Sequence, residues 1–429
     1  MVVGCYKVSF CGVLTARPHD PTTIQTPRTS TITTKVNMIF DKTTKLAALL
    51  VSAVLAEQAT AFFPINLQTY QLTYDYSGTN FFNNFDFFTG PDPTNGHVKY
   101  VGLTDANATS LAGFMPDIPR NNTKVPPVYL GADYTNIATD GRKSTRVVSN
   151  QTFNHALIIA DILHMPAPVC GTWPAYWLLG TGVDWPKAGE VDILEGVNDA
   201  TMNSYTLHTD SGVNILNQTM KGMITTSDCD INASNQDKNV GCSVCDRASA
   251  KSYGKAFNDN QGGVFATLID STGIRIWFFE RHNIPMDIYL GTPNPPSADN
   301  KTLPGANSTW STPNAVFTNP KSDFDAHFKD MQIIFNTAFC GDWAGKVWNS
   351  SATCSKLAPT CEDYVSNNPG AFSDAYWAIQ SIKVYEPTNA TTSPKNAVST
   401  HKKGKSWFSI RPDWKDEVYK ARAKELNGL

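Results

Sequence analysis

Three carboxylates stand within six residues of the stretch AGEVDILEGVND: Glu190, Asp192 and Glu195. Paired acids can cleave a glycosidic bond if they converge, because one must attack as a carboxylate while the other donates a proton to the leaving oxygen. On a helix, residues 190 and 195 would lie about 140° apart and could not meet. Val191, Ile193 and Leu194, bracketed by Gly189 and Gly196, suit a strand instead. A regular strand puts Glu190 and Asp192 on one face and Glu195 on the other. One inserted residue, a β-bulge at Ile193 or Leu194, would return Glu195 to the face of its partners, and bulges concentrate beside active sites.

With that bulge the two glutamate Cα atoms would lie roughly 13 Å apart. Side chains leaning together could then reach the carboxyl separation of about 5 to 5.5 Å used by retaining glycosidases. Mutual repulsion and partial desolvation would push the two pKa values apart, supplying an acid and a base at one pH. Asp192, between them, is placed to hydrogen-bond the attacking group. Clustered acids alone more often mark a solvated strand face or a cation site.

The neighbours change that balance. Upstream runs CGTWPAYWLLGTGVDWPKAGE, which brings Trp173, Trp177 and Trp185 close to Glu190 in sequence. Sugar rings present flat C–H faces that stack on aromatics, so indoles beside paired carboxylates suit a polysaccharide cleft. A single tryptophan is more often core than platform. Trp185, between Asp184 and Pro186, is the one expected to be exposed.

A β-rich frame must position these groups. Strands are expected at HALIIADIL (155–163), GVFATLID (263–270), GIRIWFFER (273–281), MQIIFNTAF (331–339) and AYWAIQSIKVYE (375–386). In the third, Ile274, Ile276 and Phe278 alternate with Arg275, Trp277 and Phe279. DSTG joins it to its predecessor as a hairpin. Sustained helical periodicity is lacking before residue 390, so the frame reads as a β-sandwich or barrel.

The chain has 429 residues, a formal charge of -3, 17% charged residues and 11% aromatics. That balance disfavours nucleic acid or an anionic membrane surface as partner. From Met38, two lysines, an apolar run over 46–55 and a small-residue site at 59–61 have the anatomy of a secretory signal, the run being too short to span a bilayer. Residues 38–61 are therefore expected to be a signal peptide and 1–37 an extension foreign to the mature protein. The expected domain is 62–386, followed by a linker and charged tail over 387–429. The product is expected to be secreted, extracellular or in the cell wall.

Beyond the signal lie cysteines 170, 229, 242, 245, 340, 354 and 361. Their odd number leaves at least one unpaired or bonded between chains. CSVC at 242–245 has zinc-knuckle or redox spacing, but without a second such pair it reads better as disulfide staples in a loop. Sequons at Asn107, Asn121, Asn150, Asn217, Asn232, Asn300, Asn307, Asn349 and Asn389 support a glycoprotein only weakly.

Taken together, GEVDILEGVN, the Trp-Pro segment before it, TLHTDSG (206–212), FCGDWAG (339–345) and NNPGAFSDAYW (367–377) resemble glycoside hydrolase family 16, and most of all its fungal laminarinases and endo-1,3(4)-β-glucanases. The likeness runs in unbroken order over about 62–386. It implies a concanavalin A-like β-jelly-roll of two antiparallel sheets with a concave substrate groove. It also implies Glu190 as nucleophile, Asp192 as assisting acid and Glu195 as acid/base, with Trp177, Trp185, His208 and Trp343 lining the groove. Arg146, in GRKSTRVV, is expected there on weaker grounds. Where the family would have Gly-Cys after the HT segment, this chain reads Ser211, Gly212 and Val213. That leaves one of Cys229, Cys242 or Cys245 free or re-paired and puts the loop over 213–262 in doubt.

The implied activity is hydrolysis within β-1,3- or mixed β-1,3/1,4-glucan, by a monomer, with no metal and no organic cofactor. A β-glucan transglycosylase would share the glycosyl-enzyme step, and a non-catalytic glucan-binding protein would share the fold but be expected to lose its glutamates. A 1,3-linked galactan is a further possible substrate.

Overall fold

Alternation in the paired segments GVFATLID and GIRIWFFE folds as expected. β14 (Gly263–Asp270) and β15 (Gly273–Glu280) pair antiparallel from Gly263↔Glu280 to Asp270↔Gly273, so Ser271 and Thr272 form a two-residue turn. Strands are numbered here in chain order. The structure is a computed structural model that describes residues 70–115, 125–296 and 308–388, all within one compact unit. The expected extension, signal peptide and nearly all of the tail lie outside the described residues, as do Asn121, Asn300, Asn307 and Asn389.

Two antiparallel sheets of eight strands make the sandwich. The sheet that carries the acids runs β12 (Met223–Thr226), β13 (Cys242–Cys245), β11 (Ser204–His208), β10 (Glu190–Glu195), β9 (Thr172–Leu179), β17 (Gln332–Phe339), β7 (Arg146–Ser149), β2 (Phe85–Phe87). Its partner runs β16 (Ala315–Phe317), β15, β14, β8 (Ala156–His164), β18 (Tyr376–Pro387), β5 (Val128–Gly131), β4 (Ala112–Phe114), with β1 (Tyr70–Ser77) also on β18. A small parallel pair, β3 (Val98–Tyr100) with β6 (Arg142–Ser144), forms a third sheet, with Ser144 Oγ donating to Thr337 O of β17. The expected jelly-roll class is the one observed.

The core lies between the sheets. Val191, Ile193 and Leu194 of β10 join Tyr176, Leu207 and Phe335 of their own sheet and Ile158, Phe265 and Ile276 of the other. Burying each such side chain contributes about 1.5 to 3 kcal/mol. Ile274, Ile276 and Phe278 face this core, whereas Trp277 and Phe279 point the other way into a second cluster with Leu157, Ile159 and Trp310. The outward face of β15 is therefore also apolar and covered, which period two alone does not foretell.

Disulfides join Cys170 to Cys354, Cys229 to Cys242, and Cys340 to Cys361. Cys242 of CSVC thus bonds Cys229 and not its neighbour, and Cys245 is disulfide-bonded as well. Those three pairs use six of the seven cysteines and Cys245 is bonded too, so no described cysteine is a free thiol. Val213, at the departure from the family pattern, is fully buried in the core with Cys229 and Cys242. A valine there fills by packing the place where a half-cystine was expected.

Gly189 marks the entry to β10. Its φ is +80°, and a Cβ there would meet the carbonyl oxygen of His327 at 2.4 Å. Gly189→Ala adds backbone strain to a backbone clash, and should lower stability by about 2 kcal/mol or more in urea unfolding, with activity falling alongside. An unchanged unfolding midpoint would remove this role from the glycine.

Candidate active site

β10 pairs with β9 through Glu190↔Leu179, Val191↔Leu178 and Asp192↔Trp177, then resumes at Leu194↔Tyr176 and Glu195↔Ala175. Ile193 is therefore the inserted residue of a bulge. Ile193 and Leu194 both turn into the core, which leaves Glu195 on the face opposite it, with Glu190 and Asp192. Both glutamates keep a solvent-accessible edge, and Asp192 is only 2% exposed.

Each glutamate accepts a hydrogen bond from an indole. Trp185 Nε1 donates to Glu190 Oε2 at 2.7 Å, and Trp173 Nε1 donates to Glu195 Oε1 at 2.7 Å. Asp192 Oδ2 lies 3.3 Å from His208 Nε2, a neighbour that the sequence alone did not point to. That contact has ion-pair range without hydrogen-bond alignment. His208 stands opposite Glu190 in the β10–β11 register, so the three groups form a compact polar corner.

Burial and crowding raise all three acids. Glu190 is pushed from its ordinary 4.5 to about 7, first by desolvation and next by the charge of Asp192, against the opposing pull of His208, the Trp185 donor and Arg146. Asp192 is pushed up to about 8 by burial. Glu195 goes well above its usual range, through burial first and then Asp192, with only partial relief from the Trp173 bond and His208. Glu190 has the imidazole and the guanidinium on its side, so it ionises more readily than Glu195.

The remaining expected residues gather around this strand. Trp185 is 45% exposed, as its loop sequence suggests, and its ring lies 6.5 Å from that of His208. The Arg146 guanidinium sits between Phe88, at 4.7 Å, and Trp177, at 5.0 Å, an arrangement that cation–π attraction favours. Trp177 Nε1 donates to Asn336 Oδ1 at 2.7 Å. Trp343 reaches the acids only through Trp173, which it meets edge to face at 5.7 Å. Phe88, Asn203 and Asn336 escape sequence reasoning, because amides and a lone phenylalanine carry no motif. Trp173 is legible only as one of three indoles, not as a donor to Glu195.

Oxygen and nitrogen atoms of Glu190, Asp192 and His208 lie within 4.8 Å of one another, a donor set that could receive a divalent cation. Among the described residues it is the one grouping of this kind.

Comparison with known proteins settles the family. The XgeA-like catalytic domain of glycoside hydrolase family 16 matches residues 85–385. The chain belongs to that family. As a family 16 member it is an enzyme, a glycoside hydrolase. An endo-1,3(4)-β-glucanase of Arthroderma benhamiae is 42% identical over 355 residues, covering 82% of this chain and 71% of the relative. Among solved structures, laminarinase 16A from Phanerochaete chrysosporium, bound to β-glucans in donor and acceptor sites, shares 38% identity with a TM-score of 0.63, covering 74% of this chain and all of that one. An elongating family 16 β-1,3-glucosyltransferase shares 35% identity with a TM-score of 0.62, at the same coverage.

The raised acids give this family 16 chain a pH signature. A group whose folded pKa exceeds its unfolded value favours the native state below the unfolded pKa, and that advantage is lost as pH rises through the folded one. Stability should therefore fall between about pH 4.5 and 7, by about 3 kcal/mol for Glu190 alone. Glu190→Gln should flatten the decline in urea midpoints across that range. A variant that loses stability as steeply as the parent would contradict the desolvated state of Glu190.

Proposed function

We propose that the chain hydrolyses β-1,3- or mixed β-1,3/1,4-glucan at internal bonds, by retaining double displacement. The observation that carries the reading is the bulge at Ile193, which turns Glu190, Asp192 and Glu195 to one face, each glutamate bonded by an indole donor. The Glu190 carboxylate attacks the anomeric carbon while Glu195 gives its proton to the departing glycosidic oxygen. The C–O bond breaks and a glycosyl ester remains on Glu190. Water, losing a proton to Glu195, then displaces Glu190 from the same carbon, so two inversions give retention.

The electrostatic order supports these roles. Glu190 faces His208 and Arg146 and ionises more readily, as a nucleophile must, and the more strongly raised Glu195 holds the proton that an acid must give. Asp192 acts as the assisting acid from its corner with His208. Trp177 and Trp185 offer indole faces to glucose units before the cleavage point, with Arg146 beside Trp177 and Trp343 beyond Glu195 on the other side. The β-glucan activity of the relatives supports this substrate. The signal-like segment at 38–61 supports a secreted enzyme acting on extracellular or cell-wall glucan.

A second reading is transfer of the glycosyl group to a sugar acceptor, favoured by the likeness to the elongating glucosyltransferase. Digestion of laminarin, lichenan and a β-1,3-galactan, with product sizes and anomers followed over time, separates the alternatives. Shorter products of retained anomeric configuration from the first two are expected. Products longer than the input would support transfer, and binding without any turnover would sink the catalytic reading. Glu190→Ala should lose at least about 10³-fold in kcat and form a glycosyl azide of inverted configuration when azide is supplied. Turnover like the parent's would remove the nucleophile assignment.

A further inference from the structure

Beyond Asp192 the two strands of the site part company. β10 and β11 pair only through Glu190↔His208, Val191↔Leu207 and Asp192↔Thr206, because the inserted Ile193 throws the next residues out of register. On that side the backbone carbonyl of Ile193 and the amide of Glu195 find no strand to bond. The side chain of Asn203 takes both. Its Nδ2 donates to Ile193 O at 2.8 Å, and its Oδ1 accepts from Glu195 N at 3.0 Å.

Asn203 is 0% exposed, and its own carbonyl accepts from Asp246 N at 3.0 Å. The carboxamide thus stands in for a peptide group and grips both shoulders of the bulge. A primary amide, carried by Asn and Gln, brings a donor and an acceptor on separate atoms to such a pair of groups whatever the pH. Alanine would leave two buried backbone groups unpaired, and aspartate would set an acceptor against the Ile193 carbonyl. Glu195 is also held by its pairing with Ala175 of β9 and, at its far end, by Trp173 Nε1, which bonds the carboxylate.

We propose that Asn203 is a positioning residue for Glu195, fixing the backbone of the bulge so that the acid/base carboxyl is aimed at the scissile oxygen. The inference rests on the reading of Glu195 as acid/base. Asn203 touches neither Glu190 nor substrate, so its loss impairs proton transfer and leaves nucleophilic attack in place.

The test compares Asn203→Asp and Asn203→Ala with Glu195→Gln on two substrates. Laminarin needs a protonated leaving group, and a 2,4-dinitrophenyl β-laminaribioside does not. Both Asn203 variants should lose about 10²-fold or more in kcat on laminarin, with KM little changed. Their initial burst of dinitrophenolate should stay within about threefold of the parent's, and azide, which needs no general base, should restore steady turnover. Glu195→Gln should show the same split. If Glu195→Gln itself loses the burst, the acid/base assignment fails. If it shows the split while the Asn203 variants lose both substrates alike, lose neither, or both unfold by near-ultraviolet circular dichroism, the positioning role is overturned.

Discussion

An odd number of steps separates residues 190 and 195, and a regular strand would aim their side chains at opposite faces. The extra residue at Ile193 removes that conflict, and the rest of the site depends on it. It also serves the core, because Ile193 and Leu194 turn inward together and are both fully buried. The grouping of the acids and the packing of the core are thus set by the same residue. Sliding the bulge along the strand would put a carboxylate in the core and an isoleucine or leucine in the groove, each at a cost of several kcal/mol.

Three acids gathered on one face must be tolerated electrostatically. Among the described residues no lysine or arginine forms a salt bridge with them, and their strongest contacts are neutral indole N–H groups and the imidazole of His208. Such donors stabilise a carboxylate without locking it in the ionised state, as a lysine at contact distance would. The result is three raised pKa values, graded by which neighbours each acid meets. Arg146 influences Glu190 from a distance while its guanidinium is occupied between Phe88 and Trp177. One arginine therefore braces the Trp177 indole and favours the ionised form of Glu190.

Support for this arrangement comes from outside the motif. Asn336 on β17 holds Trp177, Asn203 before β11 holds the bulge, and the close approach of the His327 carbonyl demands glycine at 189. These contacts span 159 residues for Trp177 with Asn336 and 8 for Glu195 with Asn203. The disulfide from Cys340 to Cys361 and that from Cys170 to Cys354 tie β17 and the entry to β9 to the segments that follow β17. β9, which bears Trp173 and Trp177, and its neighbour β17 are thus anchored by covalent links as well as by packing.

Much of this is local and hence readable from the chain. Alternation and turn residues place the hairpin at 263–280 and the long strand near 375–386, and parity calls for a bulge between 190 and 195 if the two glutamates are to share a face, because side-chain direction along a strand follows from residue count. The acids and indoles were visible as types suited to sugar chemistry. What the chain could not reveal was set by how the folded sheet brings side chains together: that Asp192 would meet His208, that Cys229 would take Cys242 while Val213 filled the core, that the outward face of β15 would be covered, and that two asparagines would hold the site. A side-chain amide serves equally in a turn, a cap or a clamp, and only the folded sheet brings it to the two backbone groups that the bulge leaves unpaired.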